Sequence, residues 1–408
     1  MSKRYQGGIL GVGFNPLQAP NAPTNVTATG GDASASVSFT APTNVGGSAI
    51  TGYTVQSNPG NFVGSGASSP ITVSGLSNGT SYTFNVWALN TYGPSPAGGP
   101  SGSVTPTAIR GLFAGGYGVS AIQYVSIAST GNAISFGNLT RTGNWMASCS
   151  SSTRGIWAGG GDNDRSNIID YVTIATTGNA TDFGDLTQPV GSTANLGMAG
   201  ASNSTRGIFA GGSPSSGETS SIQYITMATT GNATSFGQLT SARTFLSSCA
   251  SPTRSVFAGG NLSFASSPQT TIDYITTATT GNATSFGSLS ANSASMAVGV
   301  CSSSTRGLFA AVGATYGSGA SNIIEYITIA TTGNSTDFGD LIVANAGFRN
   351  ASTSSPTRGL VAGGGDSVNT TNVIQYVTIS TTGNATDFGD LTAAQAGQAG
   401  CSNGHGGL

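Results

Sequence analysis

The chain has 408 residues, a formal net charge of −2 and charged side chains at only 6% of positions, against roughly 25% in an ordinary globular protein. So weak a basic field (Lys3 is the single lysine) excludes counterion-release binding to nucleic acid, and no apolar run approaches the ~20 residues needed to cross a bilayer. Gly, Ser, Thr, Asn and Ala replace the charges, and 37% apolar residues remain, arranged periodically enough to build a core rather than a disordered chain.

Residues 1–19 begin with Met1-Ser2-Lys3-Arg4, as a signal peptide would, but the apolar stretch that follows is short, broken by Gly and lacks a small-x-small cleavage site. The reading is a short Gly-rich segment on a protein that folds in a cytoplasm. From 20 to 107 the chain carries strand-like runs bounded by turn residues: Pro23-Thr24-Asn25-Val26, Val37-Ser38-Phe39-Thr40, Ile50-Thr51-Gly52-Tyr53-Thr54-Val55 and Tyr82-Thr83-Phe84-Asn85-Val86. Alternation from Tyr82 to Ala88 puts Tyr, Phe and Val inward, and Leu76 with Tyr82 has the spacing of a tyrosine corner. These features resemble a fibronectin type III module, which implies a β-sandwich used as a spacer.

Residues 108–408 repeat one unit, plainest at Thr153-Arg154-Gly155-Ile156-Trp157-Ala158-Gly159-Gly160, Ile168-Ile169-Asp170-Tyr171-Val172 and Thr177-Gly178-Asn179-Ala180-Thr181-Asp182-Phe183-Gly184. The repeat arginines are Arg110, Arg154, Arg206, Arg254, Arg306 and Arg358, and the tyrosines Tyr124, Tyr171, Tyr224, Tyr274, Tyr326 and Tyr376. A period of about 44 to 52 residues fits units of four strands: a small-residue strand such as Met146–Ser150, the Gly-Ile-Trp-Ala-Gly-Gly strand, a β-branched strand with the Tyr, and a fourth around Phe183. No segment has helical periodicity, so the expected class is all-β. Before Arg110 the first unit lacks its small-residue strand, whereas Ala396–Asn403 supplies one with no unit after it; the C-terminal strand is expected to complete the first unit and close a ring without open edges. Ala-Gly-Gly in most units, the Tyr in all, and Phe136, Phe183, Phe236, Phe286, Phe338 and Phe388 together resemble kelch repeats. That resemblance implies a six-bladed kelch-like β-propeller over 108–408, with Ala310-Ala311-Val312-Gly313 as the departure in the fifth blade.

One histidine, His405, leaves no basis for a copper or zinc centre, and no metal or cofactor is expected. Galactose oxidase, which pairs a kelch propeller with sandwich domains, is excluded as a parallel for the same reason. Cys149, Cys249, Cys301 and Cys401 share one repeat position, filled elsewhere by Ala201 and Thr353, and read as small buried residues. The six arginines read as turn residues, the slot Gln123, Asp170, Gln223, Asp273, Glu325 and Gln375 as scaffold, and the Asn-x-Thr sequences that follow Thr-Gly, such as Asn179-Ala180-Thr181, as turn chemistry with local side-chain hydrogen bonds rather than glycosylation sites. In an up-and-down four-stranded blade, the second-to-third and fourth-to-first connections share one face, and here they vary in length and chemistry. The candidate ligand-binding residues on that face are Arg141, Trp145, Asp162, Asp164, Arg165, Arg243, Phe264, Tyr316, Phe348 and Arg349. Aromatics beside Arg and Asp suit stacking on sugars with hydrogen bonds to hydroxyls; packing on a neighbouring subunit, as a homo-oligomer, is the alternative use of the face.

The whole arrangement resembles virion proteins of marine tailed bacteriophages, including cyanophages, which join a Gly-rich N-terminal segment, a fibronectin-like module and Gly/Ser/Thr-rich propeller repeats. The resemblance implies a virion structural protein assembled in the host cytoplasm and not an enzyme. Residues 1–19 would dock on other virion proteins and the propeller would attach to host cell-surface polysaccharide or protein, as in a tail fibre or tail-associated adhesin. A capsid decoration or head fibre is the second expectation, and a carbohydrate-cleaving enzyme using Asp162 and Asp164 the third.

Overall fold

Alternation of apolar and polar side chains builds the first of two units in the computed structural model, which describes residues 17–161, 166–187, 196–214, 217–263, 266–293, 300–314, 319–345, 350–365 and 370–408. The units are Met1–Ala108 and Ile109–Leu408. No helix occurs among the described residues. The described residues of the first unit form seven strands: β1 (Thr24–Gly31), β2 (Ser34–Thr40), β3 (Gly52–Asn58), β4 (Val63–Gly66), β5 (Ile71–Ser74), β6 (Thr83–Asn90) and β7 (Gly93–Pro94). They form two antiparallel sheets, ordered β1-β2-β5 and β4-β3-β6-β7. Val37, Phe39, Val55, Val73, Phe84 and Val86 meet in one core. Tyr82 is buried, and its hydroxyl accepts the Ser77 N–H at 3.0 Å, the tie that its spacing from Leu76 predicts.

The described residues of the second unit form six antiparallel sheets; four are made from four consecutive strands, sheet four adds a short strand, Asn261–Ser263, beside its third, and sheet one draws on both ends of the unit. Sheet two is Ala147–Ser150, Arg154–Ala158, Ile168–Thr173 and Thr181–Asp185, from innermost to outermost. Sheets three to six follow the same order around Arg206, Arg254, Arg306 and Arg358. Sheet one takes its innermost strand, Ala399–Ser402, from the far end of the chain, pairing Ala399 with Ala114 and Cys401 with Leu112. That register matches sheet two, where Ala147 faces Ala158 and Cys149 faces Ile156. The six innermost strands touch in cyclic order, and the last touches the first. Small residues are required there because successive innermost backbones pack against each other: a Cβ on Gly200 would lie 2.3 Å from the Ser148 carbonyl oxygen.

Between the third and fourth strands a bulge skips one residue, for example Phe183 between Asp182 and Gly184. The extra residue turns its ring into the core, where it meets the repeat Tyr edge-on at 5.7–6.0 Å in all six sheets. The glycine after each Phe is a point of close approach. A Cβ on Gly137 would sit 2.1 Å from the carbonyl oxygen of Gly178 in the next sheet.

Those glycine contacts correct the reading of the Asn side chains after Thr-Gly as local turn chemistry. With the backbones that close, the Asn side chain reaches the neighbour instead: Asn179 Oδ1 accepts the Asn138 N–H at 3.0 Å, and Asn232, Asn282, Asn334, Asn384 and Asn132 do the same at each following joint. The arginines likewise do more than lead a turn. Each guanidinium lies 4.6–4.9 Å from the ring centre of its own sheet's Tyr. Its Nη1 donates to a carbonyl of the next sheet, Arg110 to Ile174, Arg154 to Met227, Arg206 to Thr277, Arg254 to Ile329, Arg306 to Ile379 and Arg358 to Ile127.

The cysteine position is fitted across the same joints. Added Cβ atoms on Gly207, Gly307 and Gly155 would lie 2.7, 2.3 and 2.9 Å from the sulfurs of Cys149, Cys249 and Cys401. Where the donor sheet carries Ala201, the position equivalent to these glycines is Ser255, whose hydroxyl bonds Thr277 at 2.9 Å. A large residue on one side goes with a small one on the other. Gly207→Ser should therefore cost about 1–3 kcal/mol by overpacking, and adding Cys149→Ala, which copies the Ala201–Ser255 pairing, should recover most of it. Urea midpoints of the wild type, both single variants and the double variant check this; equal loss in the double variant would refute the pairing.

Candidate functional site

The residue before each repeat Tyr is buried and accepts hydrogen bonds from the end of the previous sheet. Gln223 Oε1 takes the N–H and hydroxyl of Thr187, both at 2.8 Å, and Gln123 takes those of Thr392 at 2.8 and 3.0 Å. Asp170 takes the Thr140 hydroxyl at 2.6 Å and Asp273 the Thr240 hydroxyl at 2.7 Å. Burial raises the Asp170 pKa, with the Thr140 bonds and the Arg141 charge acting against that rise. Glu325 takes Ser290 and also Ser335, which stands where the other five repeats have Ala.

Two of the candidate binding arginines belong to this slot. Arg243 is fully buried, paired with Asp273 and donating to the Gly259 and Thr271 carbonyls at 2.6 and 2.9 Å. It is therefore corrected from a surface ligand to an internal counter-ion, because an Asp carboxylate so deeply buried needs a cation beside it. Arg141 is half-buried and donates to the Gly159 carbonyl near Asp170. Trp145 is half-buried. The other candidates, Asp162, Asp164, Arg165, Phe264, Tyr316, Phe348 and Arg349, lie outside the described residues.

Trp145 belongs to an aromatic group where the chain turns into the innermost strands. Its ring meets Tyr117 edge-on at 5.5 Å and Phe245 at 5.6 Å. Tyr117 is 43% exposed and Phe245 is buried. Trp145 and Phe245 occupy equivalent positions in sheets two and four and have positive φ, 52° and 58°; sheets one and three have Gly397 and Gly197 there at 78° and 68°. Backbone bonds link these four residues in turn, Trp145 N–H to Gly397, Gly197 N–H to Trp145 and Phe245 N–H to Gly197. The second-to-third connections join the same end: Gly116 N–H bonds the Gly143 carbonyl, Gly161 that of Asn144 and Gly364 that of Gln395, while Asn261 and Thr244 exchange both bonds. The Asn261 carboxamide is fully buried, with neither its oxygen nor its nitrogen bonded among the described residues.

Three residues inside Trp145 begins an axial cavity of about 80 Å³, walled by Ser148, Ser248, Ser352, Asn350 and backbone of Gly200 and Gly400. These hydroxyls have no signal in a single repeat and emerge only when six small-residue strands face one axis. A second cavity of about 70 Å³ reaches His405. There Nε2 lies 2.9 Å from the Ser150 carbonyl and Nδ1 accepts the Gly407 N–H at 3.0 Å, which fixes the neutral imidazole with its proton on Nε2. All four thiols are buried and unbridged, and burial pushes Cys301 and Cys401 up to about 12, so none is a ready nucleophile. Among the described residues no group of three His, Cys, Asp or Glu could hold a metal ion. In the first unit, alternation did not flag Trp87, which faces outward with Val63, Leu89 and Pro94 along a groove.

Enclosure lowers the His405 pKa below its ordinary value of about 6.5. The unfolded chain then takes up a proton first as pH falls, so the stabilisation is complete above about pH 6.5 and is lost below it. Melting temperature should drop between pH 7.5 and 5.5, and His405→Gln should drop less over the same interval. Equal slopes in differential scanning calorimetry would show that the imidazole stays accessible to protons in the fold.

No curated protein matches the chain. Among solved structures, the crystal structure of domains A168-A170 from titin matches at 29% identity over 22% of this chain and 32% of that one, with a TM-score of 0.21. The chain thus spans about a third of that titin structure. The fibronectin type III domain family matches residues 21–103, the segment that forms the two packed sheets and the tyrosine tie of the first unit. Residues 21–103 are a fibronectin type III domain.

Proposed function

We propose that the second unit is a six-bladed kelch-like β-propeller and that the chain is a virion structural protein of a tailed bacteriophage, a tail-fibre or tail-associated adhesin. One observation carries the reading: the repeated polar chemistry is used between neighbouring sheets. All six repeat arginines donate to the next sheet, and the slot carboxylates and carboxamides accept from the previous one. What the repeats leave free to vary is the set of connections gathered at the Trp145 end. A rigid scaffold with variable connections at one end is the usual arrangement of a binding protein. The cyclic contact of the innermost strands and the pairing of Ala399–Ser402 with Gly111–Ala114 support the propeller assignment. With 6% charged residues, its contacts depend little on exposed ion pairs and tolerate high salt. In this reading residues 1–19 dock on the particle, the fibronectin type III domain is a spacer, and host cell-surface polysaccharide is the partner.

Electron microscopy of intact particles labelled with an antibody against residues 109–408 tests the assignment. Label on the tail is expected, label on the head would transfer the protein to capsid decoration, and protein confined to cell extract would remove the virion premise. Deleting residues 1–19 should abolish incorporation while leaving the melting of the second unit unchanged.

A further inference from the structure

We infer that the Trp145 end of the axial cavity is a stacking site for one pyranose ring of an uncharged oligosaccharide, with Trp145 and Tyr117 forming the apolar platform. The inference rests on the adhesin reading and narrows it to one place and one class of sugar. Backbone strain is the first argument. Positive φ is costly for an ordinary residue and almost free for a glycine. Gly397 and Gly197 meet this requirement in two sheets, yet Trp145 and Phe245 meet it in two others, so large rings are held at a turn that glycine would fill more easily. Phe245 is buried and backs Trp145, whereas Trp145 is half-buried and Tyr117 is exposed. Such rigid rings offer apolar area at low entropic cost.

The chemistry below the platform selects the ligand. Hydroxyls of Ser148, Ser248 and Ser352 and the Asn350 carboxamide line the cavity; Ser148 and Ser248 donate to the Gly400 and Gly200 carbonyls at 2.8 and 2.7 Å and keep lone pairs that accept. Outside that lining, Asn261, doubly bridged to the residue before Phe245, holds a buried donor and acceptor without partners among the described residues. Apolar rings three residues of chain before hydroxyl and amide groups match a sugar ring, whose C–H face is apolar and whose rim is hydroxylated. The nearby cations are engaged internally, Arg243 with Asp273 and Arg141 with the Gly159 carbonyl. Among the described residues nothing at this end answers an anionic sugar.

The test uses the full-length chain, titrated by calorimetry and tryptophan fluorescence with maltohexaose, cellohexaose and mannohexaose, and separately with oligogalacturonate and oligoguluronate. Trp157 is fully buried and Trp87 lies in the other unit, so a fluorescence change that disappears with Trp145 reports this end. At least one neutral hexamer should bind. Trp145→Gly, which keeps the backbone that Gly197 and Gly397 already adopt, should weaken it at least tenfold without lowering the melting temperature, and Tyr117→Ala should weaken it several-fold. Unchanged affinity in both variants, or no binding by any neutral hexamer, overturns the inference. Binding of the acidic oligomers alone overturns the uncharged class while leaving glycan attachment intact. Particle adsorption that survives periodate oxidation of the host surface would instead overturn the adhesin reading itself.

Discussion

A guanidinium laid on a tyrosine ring and hydrogen-bonded across a seam is the joint on which the second unit depends. Each four-stranded sheet has two faces and too few residues to bury either alone. The repeat arginine covers its own Tyr, worth about 0.5–2 kcal/mol for a cation over a ring, and donates to a carbonyl of the following sheet, where a charged donor is worth about 1.5–3 kcal/mol. Neither partner is a carboxylate, so the joint persists where salt screens ion pairs. Asn side chains and paired glycines fasten the outer edge of the same seam, and slot residues fasten the other end. Because the sheets touch in a cycle, no seam is terminal, and each is held by both its neighbours.

The slot shows how a repeat adjusts its electrostatics locally. Gln123, Gln223 and Gln375 accept hydrogen bonds without bringing charge into the interior. Where the slot holds Asp, an arginine arrives from the preceding connection, Arg141 near Asp170 and Arg243 on Asp273. Where it holds Glu325, the response is a third donor, Ser335. A buried carboxylate is costly unless paired or well solvated by hydrogen bonds, and three repeats reach that condition by two routes. The same economy explains the Cys–Gly and Ala–Ser pairings: volume moved to one side of a seam is removed from the other.

Strand positions were legible because the period is strong and the residues are local in their preferences. Phe183 and Tyr171 announce themselves in one copy and recur in the other five, and the Ala-Gly-Gly turn recurs in all but the fifth. Destinations were not legible. Nothing within Thr-Gly-Asn says that the Asn oxygen bonds a neighbour's backbone, since that follows from two glycines meeting across a seam. Arg141 and Arg243 look like surface residues in a variable connection, and only the buried Asp one sheet on reveals their role. Trp87 sits at an outward position that alternation assigns to polar residues. Trp145 was visible as an aromatic in the right connection, but its positive φ and its rank beside Gly197 and Gly397 required the backbone.

The pairing of Ala399–Ser402 with the strand at Arg110 also sets a clock. Asn403 caps the Arg110 N–H across 293 residues of chain, so sheet one is made almost entirely before its innermost strand exists. At ribosomal rates of about 5–20 residues per second, the inner edge of sheet one waits roughly 15 to 60 s for its partner. During that interval a paired-up row of strands carries one bare edge among many identical nascent chains, each with the same small-residue strands to offer. The glycines, serines and alanines of those strands offer little apolar surface to a wrong partner, so a residue choice made for crowding at the axis also protects the chain while it waits.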